Sequence, residues 1–149
     1  MKQQPYSYRA DKAVPPFADD KPIIVFDGYC VMCSHWANFV LRQDKRARYR
    51  LLAAQSPLGE ALYAHYSLKP SDYETNLLIE NGRCRVKSDG TLAMFAGLGL
   101  PWALTTVFRI IPRPILDKLY GMIARNRLRW FGQRESCFIP PAGSQDRFL

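Results

Sequence analysis

The feature that most constrains this chain is a short apolar run, Ile23, Ile24, Val25 and Phe26, that stops at Asp27 and Gly28 and leads into the cysteines Cys30 and Cys33. An unbroken run of this kind is what a central strand buried on both faces requires, and Asp-Gly supplies the turn that ends it. From Cys30 to about Gln43 the apolar residues Cys33, Trp36, Ala37, Val40 and Leu41 recur at spacings of three and four, the stripe of an amphipathic helix. Both cysteines therefore fall in the first turn of a helix that leaves a buried strand.

That placement has chemical consequences. At a helix start, unpaired backbone N–H groups and the positive end of the helix dipole stabilise a thiolate, the reactive form of cysteine. A spacing of three brings the second sulfur beneath the first, so a disulfide can close with little backbone movement. The expected roles are Cys30 as the exposed nucleophile that forms a mixed disulfide and Cys33, on the apolar stripe, as the buried thiol that resolves it. Asp27, three residues ahead of Cys30, is placed either to cap the helix or to relay the proton that Cys33 must lose. His35 points away from both sulfurs on such a helix and reads as a surface or packing residue. A strand ending in Asp also opens the phosphotransferases with an aspartate nucleophile. Those need a second carboxylate two residues on, where this chain has Tyr29.

Along the rest of the chain, residues 1–21 form a polar, proline-bearing arm, and the fold starts at Pro22. Tyr49 to Ala53 is a second strand, and Ser56 with Pro57 caps and opens a helix running to about Tyr66. Asn76 to Glu80 and Arg83 to Lys87 read as a hairpin joined by Asn81 and Gly82, the pair suited to the positive φ angles of a type I′ turn. Ser88 and Asp89 are set to cap a helix carrying Leu92, Phe95 and Ala96, which ends near Gly97 and Gly99. Two further helical segments follow, Trp102 to Ile111 and Ile115 to about Trp130, separated by Pro112 and Pro114. The order βαβαββα points to an α/β protein: one domain over 22–140 with a C-terminal helical extension over 101–130, and a tail over 141–149.

The 149 residues carry a net charge of +8, with Arg42, Lys45, Arg46, Arg48 and Arg50 in one block and Arg125, Arg127, Arg129 and Arg134 in another. Solvated faces beside apolar segments account for such blocks, and no specific nucleic-acid partner follows from them. Thr91 to Phe108 is 18 residues without a charge, the length of a short membrane span, but Gly97, Gly99 and Pro101 divide it into two buried helices. Arg109 and Arg113 beside it suit contact with an anionic membrane surface, so a basic membrane-surface adaptor with a redox-sensing dithiol is one alternative. Met1 to Asp20 lacks the apolar run of a signal peptide, which leads to the expectation of a cytoplasmic protein in a reducing compartment. There four cysteines are metal ligands or redox groups rather than a disulfide framework. Cys84 and Cys137 read as small buried hydrophobes. Joined with Cys30 and Cys33 they would supply four thiolates to a structural zinc, the second alternative, although no second CxxC supports it.

The run Val25 to Cys33, with Asp27, Gly28, Cys30 and Cys33 in the order DGxCxxC, resembles the DCC family of thiol-disulfide oxidoreductases. The segment Tyr120 to Arg127, then Phe131, Gly132 and Cys137, looks like that family's C-terminal half, so the resemblance covers about residues 22 to 140. It implies a thioredoxin-like fold with a mixed four-stranded sheet, in agreement with the element order. It also implies that Cys30 and Cys33 are the working pair, approached by Asp27 and Gly28, and a dithiol mechanism calls for no bound organic cofactor. The resemblance supplies no substrate; the dithiol chemistry itself calls for a disulfide-bearing protein or small thiol substrate and a reducing thiol system. Two departures from ordinary thioredoxins are visible. Val31 and Met32 stand between the cysteines, without the usual proline or glycine. No proline immediately precedes the third strand, the nearest being Pro70. Tyr120, Arg125, Asn126 and Arg127 read as helix packing with basic surface arginines, or as a place for a small anionic or acidic-protein partner.

Overall fold

The computed structural model describes residues 4–68, 77–99, 102–132, 135, 139, 142–143 and 145–148. Its elements are β1 (Ile23–Phe26), α1 (Val31–Gln43), β2 (Arg50–Ala53), α2 (Pro57–His65), β3 (Leu77–Glu80), β4 (Arg83–Val86) and α3 (Lys87–Gly97), followed by a 3-10 segment (Trp102–Ile110) and α4 (Arg113–Phe131). The sheet order is β2-β1-β3-β4, with β1 parallel to β2 and antiparallel to β3, and β3 antiparallel to β4. This is the thioredoxin-like mixed four-stranded sheet expected from the sequence, with helices added after it.

β1 is buried at all four positions because both of its faces are covered. Ile23 and Val25 join Leu52, Leu77 and Ile79 in one core with Leu62 and Tyr63 of α2. Ile24 and Phe26 point the other way, into a core with Leu51, Leu78, Cys33, Ala37 and Val40 of α1 and Met94 of α3. Alternation of side chains along the strands thus sorts α2 to one face of the sheet and α1 with α3 to the other.

Local chemistry sets most of the boundaries. Ser56 Oγ accepts from the Gly59 N–H at 3.1 Å and Pro57 opens α2, as expected. Asn81 and Gly82 take φ values of 52° and 74°, the left-handed pair a tight hairpin needs. α3 departs from expectation. It begins at Lys87 directly from β4 with Val86 as N-cap and no side-chain cap, so Ser88 and Asp89 lie inside its first turn. Asp89 is held there by Arg109 at 3.2 Å and Arg85 at 3.7 Å. The segment after it is 3-10 rather than α, pinned by a ring cluster in which Trp102 meets Phe39 at 4.9 Å and Phe95 at 6.0 Å. The uncharged stretch is therefore split between α3 and the 3-10 segment, and among the described residues no helix is long and apolar enough to cross a membrane.

Both chain ends pack on this core. Tyr8 and Val14 of the arm are buried beside α2, and Tyr6 N donates to Gly82 O at 2.9 Å. At the other end, Arg147 Nε donates to Tyr49 O at 3.0 Å, and Phe148 bridges Leu51.

Candidate active site

The Asp-Gly turn delivers the chain from β1 to the start of α1, where Cys30 itself is the N-cap, with φ −79° and ψ 126°. Its Sγ accepts from the Cys33 N–H at 3.4 Å, which fills the place the sequence offered to the Asp27 carboxylate. Asp27 is instead the anchor of the turn. Its Oδ1 accepts from the Tyr29 N–H at 2.9 Å and from Gln55 Nε2, and its Oδ2 accepts from Arg127 Nη2 at 2.9 Å. Gln55 completes the clamp by accepting from the Gly28 N–H at 2.9 Å. Asp27 is 4 % exposed and Arg127 3 %, so the ion pair lies in the interior.

The sequence placed Cys30 at the surface and Arg127 among surface arginines, and the structure corrects both. Cys30 is 0 % exposed and Cys33 2 %. Cys30 packs into the core formed by β1, α1 and α3, and α4, which packs across α1 and α3, turns Ala124 and Arg127 inward beside Cys33. The chain leaving α4 then closes on the start of α1, where the Val31 N–H donates to Gly132 O at 3.3 Å. Gly132 has φ +88°, a conformation that glycine adopts without the Cβ penalty of other residues.

Inside this enclosure the two thiols, both reduced, are driven apart in acidity. The Cys30 thiol is lowered to about 6, chiefly by the hydrogen bond from the Cys33 thiol and further by the Cys33 N–H and the Arg127 guanidinium, against the opposing effects of burial and Asp27. The Cys33 thiol is pushed far up, first because it donates that hydrogen bond, then by burial and by the negative charge on Cys30. One sulfur is thus prepared to carry charge and the other to hold a proton. Beside them, between α1 and α4, lies a cavity of about 160 Å³ lined by Met32, Cys33, Trp36, Tyr120, Ile123 and Arg127 among others.

Other sequence candidates fall elsewhere. His35 is exposed on α1. Cys84 packs into the core on the α2 face of the sheet, whereas Cys30 and Cys33 belong to the α1 face, so the sheet separates them and a shared zinc has no geometry here. Among the described residues no cluster of three or more metal-ligating side chains occurs. Cys137 and Pro70 lie outside the described residues. Sequence reasoning missed Gln55, for which no pattern gave a signal. It also missed the inward role of Arg127, whose only signal was its place in the family-like segment of α4.

A mixed thioredoxin-like sheet with a CxxC at the start of its first helix defines a protein of the thiol-disulfide oxidoreductase class. Comparison with known proteins narrows this: residues 24–133 match the model of the DCC1-like thiol-disulfide oxidoreductase family, and the chain belongs to that family. It is 31 % identical over 127 residues to the protein named uncharacterized protein YuxK of Bacillus subtilis (strain 168), covering 85 % of this chain and 93 % of that one. It is 33 % identical over 120 residues to the DCC family protein At1g52590, chloroplastic, of Arabidopsis thaliana, covering 80 % of this chain and 70 % of that one. No solved structure matches.

Proposed function

We propose that the chain catalyses thiol-disulfide exchange with Cys30 as nucleophile and Cys33 as resolving thiol. The observation that carries the assignment of roles is the split in acidity across one hydrogen-bonded pair, with Cys30 lowered to about 6 and Cys33 raised. In the forward direction the Cys30 thiolate attacks one sulfur of a substrate disulfide, forms a mixed disulfide and releases the first substrate thiolate. That thiolate takes a proton from solvent. Cys33 then attacks the Cys30 sulfur, which closes the Cys30–Cys33 disulfide and releases the second substrate thiolate, and the proton that Cys33 gives up passes through solvent to that leaving sulfur. Two electrons pass to substrate, and a reducing thiol system returns them to the pair. A reducing cytosol, the compartment expected from the sequence, suits that cycle.

Asp27 is a positioning residue in this scheme. Its carboxylate oxygens accept from Tyr29, Gln55 and Arg127, a set of contacts that fits holding the turn under Cys30 better than carrying a proton to and from Cys33. Because Cys30 has no exposed surface, exchange with a protein disulfide needs a local opening, and the Val31 to Gly132 hydrogen bond is one contact that such an opening breaks. The proposal is tested by titrating the full chain through glutathione redox buffers with alkylation and peptide mapping. A reversible Cys30–Cys33 disulfide is expected. Cys33→Ser should accumulate a mixed disulfide at Cys30, and Cys30→Ser should lose turnover. Thiols that stay unpaired across the titration overturn the reading.

A further inference from the structure

Two consecutive elements expose rows of large apolar side chains. In the 3-10 segment, residues three apart stand in line, and Leu104, Val107 and Ile110 are 67 %, 57 % and 82 % exposed. In α4, Ile115, Leu119, Met122, Ile123 and Trp130 are each exposed by 41 % or more. At 3.6 residues per turn these five fall in a stripe about 100° wide. The stripe is centred on the side of α4 away from the buried Ala124, and its Ile123 edge borders Arg127, which α4 also turns into the protein. A surface helix ordinarily buries its apolar stripe. α4 shows one to solvent while packing on α1 and α3 through another face, and only Ile111 and Pro112 separate it from the 3-10 row.

The charges beside the stripe indicate what covers it. On the helical wheel Lys118, Arg125 and Arg129 line one edge of it, and all three are exposed. Arg109 lies on a different row of the 3-10 segment and is paired with Asp89 at 3.2 Å, so it does not join them. Of the nearby carboxylates, Asp89 of α3 is taken up by Arg109 and Arg85, Asp117 lies on the far side of α4 from the stripe, paired with Arg113 at 3.6 Å, and Glu135 follows the helix. A second copy meeting this face by two-fold symmetry would set the same cations against each other. An anionic bilayer surface meets both requirements, taking apolar side chains between its headgroups and basic ones against its phosphates. Trp130 and Phe131, both exposed at the end of α4, are of the aromatic type favoured at that boundary.

We infer that the face formed by the 3-10 segment and α4 docks this protein onto an anionic lipid surface. The inference is independent of the chemistry of the dithiol. It gives that chemistry a setting, because Ile123 belongs both to the exposed stripe and to the lining of the cavity that reaches Cys33.

The test is co-sedimentation of the full chain with vesicles of phosphatidylcholine containing phosphatidylglycerol, against pure phosphatidylcholine, in low and high salt. Binding is expected on the anionic vesicles, weakened by salt and weak or absent on the neutral ones. Two variants separate the two contributions. Leu104→Asp with Met122→Asp changes only exposed apolar side chains, and it should abolish binding while leaving the circular dichroism of the parent. Lys118→Gln with Arg129→Gln should weaken binding by about fivefold for each cation removed. Failure to bind, equal binding to neutral vesicles, or unchanged binding by either folded variant overturns the inference. If sedimentation equilibrium instead finds a dimer that the Asp variant dissociates, without lipid binding, the face belongs to a second copy and the inference is overturned.

Discussion

Arg127 Nη2 donates to Asp27 Oδ2 at 2.9 Å across a sequence separation of 100 residues, joining the turn before the dithiol to the last helix of the chain. Arg127 Nη1 also donates to the Ala124 carbonyl of α4 at 2.8 Å, so the guanidinium is fixed from both sides. The pair acts on both sulfurs in opposite senses, since Arg127 favours thiolate and Asp27 opposes it. Neither charge is neutral in its effect on the site, and each is tolerable in the interior because the other is there.

Arg127→Gln should therefore lower stability by about 3–5 kcal/mol, the usual consequence of leaving one member of a buried pair charged and alone. It should also raise the Cys30 pKa, because the cation is lost and the Asp27 charge stays. Adding Asp27→Asn to the same chain should recover much of the stability. Urea unfolding and the ultraviolet absorbance of the thiolate measure the two effects separately. A single variant as stable as the parent would show that the ion pair is not formed.

The second prediction concerns the bond between the thiols. The hydrogen bond from Cys33 is the largest influence holding the Cys30 pKa down, so Cys33→Ala should raise that pKa. If the thiol returns toward the ordinary cysteine value of about 8.5, the thiolate fraction at pH 7 falls by on the order of tenfold or more. The rate of alkylation by iodoacetamide should fall with it. Cys33→Ser keeps a donor and should fall between the two. Equal rates in all three chains would place the cause of the low pKa elsewhere.

What was legible in the sequence was what is local. The apolar run of β1, the three-and-four stripe of α1, the Ser56 cap and the Asn81-Gly82 turn each depend on residues within a few positions of one another, and each appears where expected. α3 starts earlier than the capping signal indicates, directly from β4, and the Asp89 carboxylate is engaged by Arg85 four residues before it and by Arg109 twenty residues after it rather than capping the helix. Asp27 as helix cap failed for a similar reason, since its carboxylate is engaged by Tyr29, Gln55 and Arg127. The burial of Cys30 is not written in the local spacing, because it comes from side chains of the sheet, α1 and Met94 of α3 that meet only in the folded core. An arginine on an amphipathic helix gives no sign that its partner lies 100 residues earlier.

A third prediction follows from the close approach of α2 to the end of β2. A methyl group on Gly59 would lie 2.7 Å from the Ala54 carbonyl oxygen and 2.9 Å from its carbon, both backbone atoms with no freedom to turn away. Gly→Ala within a helix ordinarily stabilises by up to about 1 kcal/mol. Here the sign should reverse, to a cost of about 1–3 kcal/mol, as for other overpacked sites. Gln55, which clamps Asp27 and Gly28, lies in the displaced segment, so Cys30 reactivity should shift too. Gly121→Ala in α4, where the methyl would meet only the end of the exposed Arg125 side chain, serves as the control and should be neutral or stabilising. Urea unfolding of the two variants decides the matter, and equal midpoints would sink the argument.

The fourth prediction is a pH dependence of stability with a defined sign. In the folded chain Cys30 titrates at about 6, against about 8.5 for an unfolded cysteine. Between those values the unfolded chain holds a proton that the folded chain has released, so stability should rise with pH across that window. The Cys30 contribution is complete above the unfolded value and is lost as the pH falls to the folded one. Cys33 works in the opposite sense, because its folded value is raised. Its contribution is complete below about pH 8.5 and declines only as the pH climbs beyond it. The dithiol therefore adds a rise from about pH 6 that ends near pH 8.5. Urea midpoints measured under reducing conditions should show that rise in the parent chain and a flatter profile in Cys30→Ser. Parallel profiles for the two chains would mean that Cys30 does not ionise early, and with that the chemical distinction between the two sulfurs would be lost.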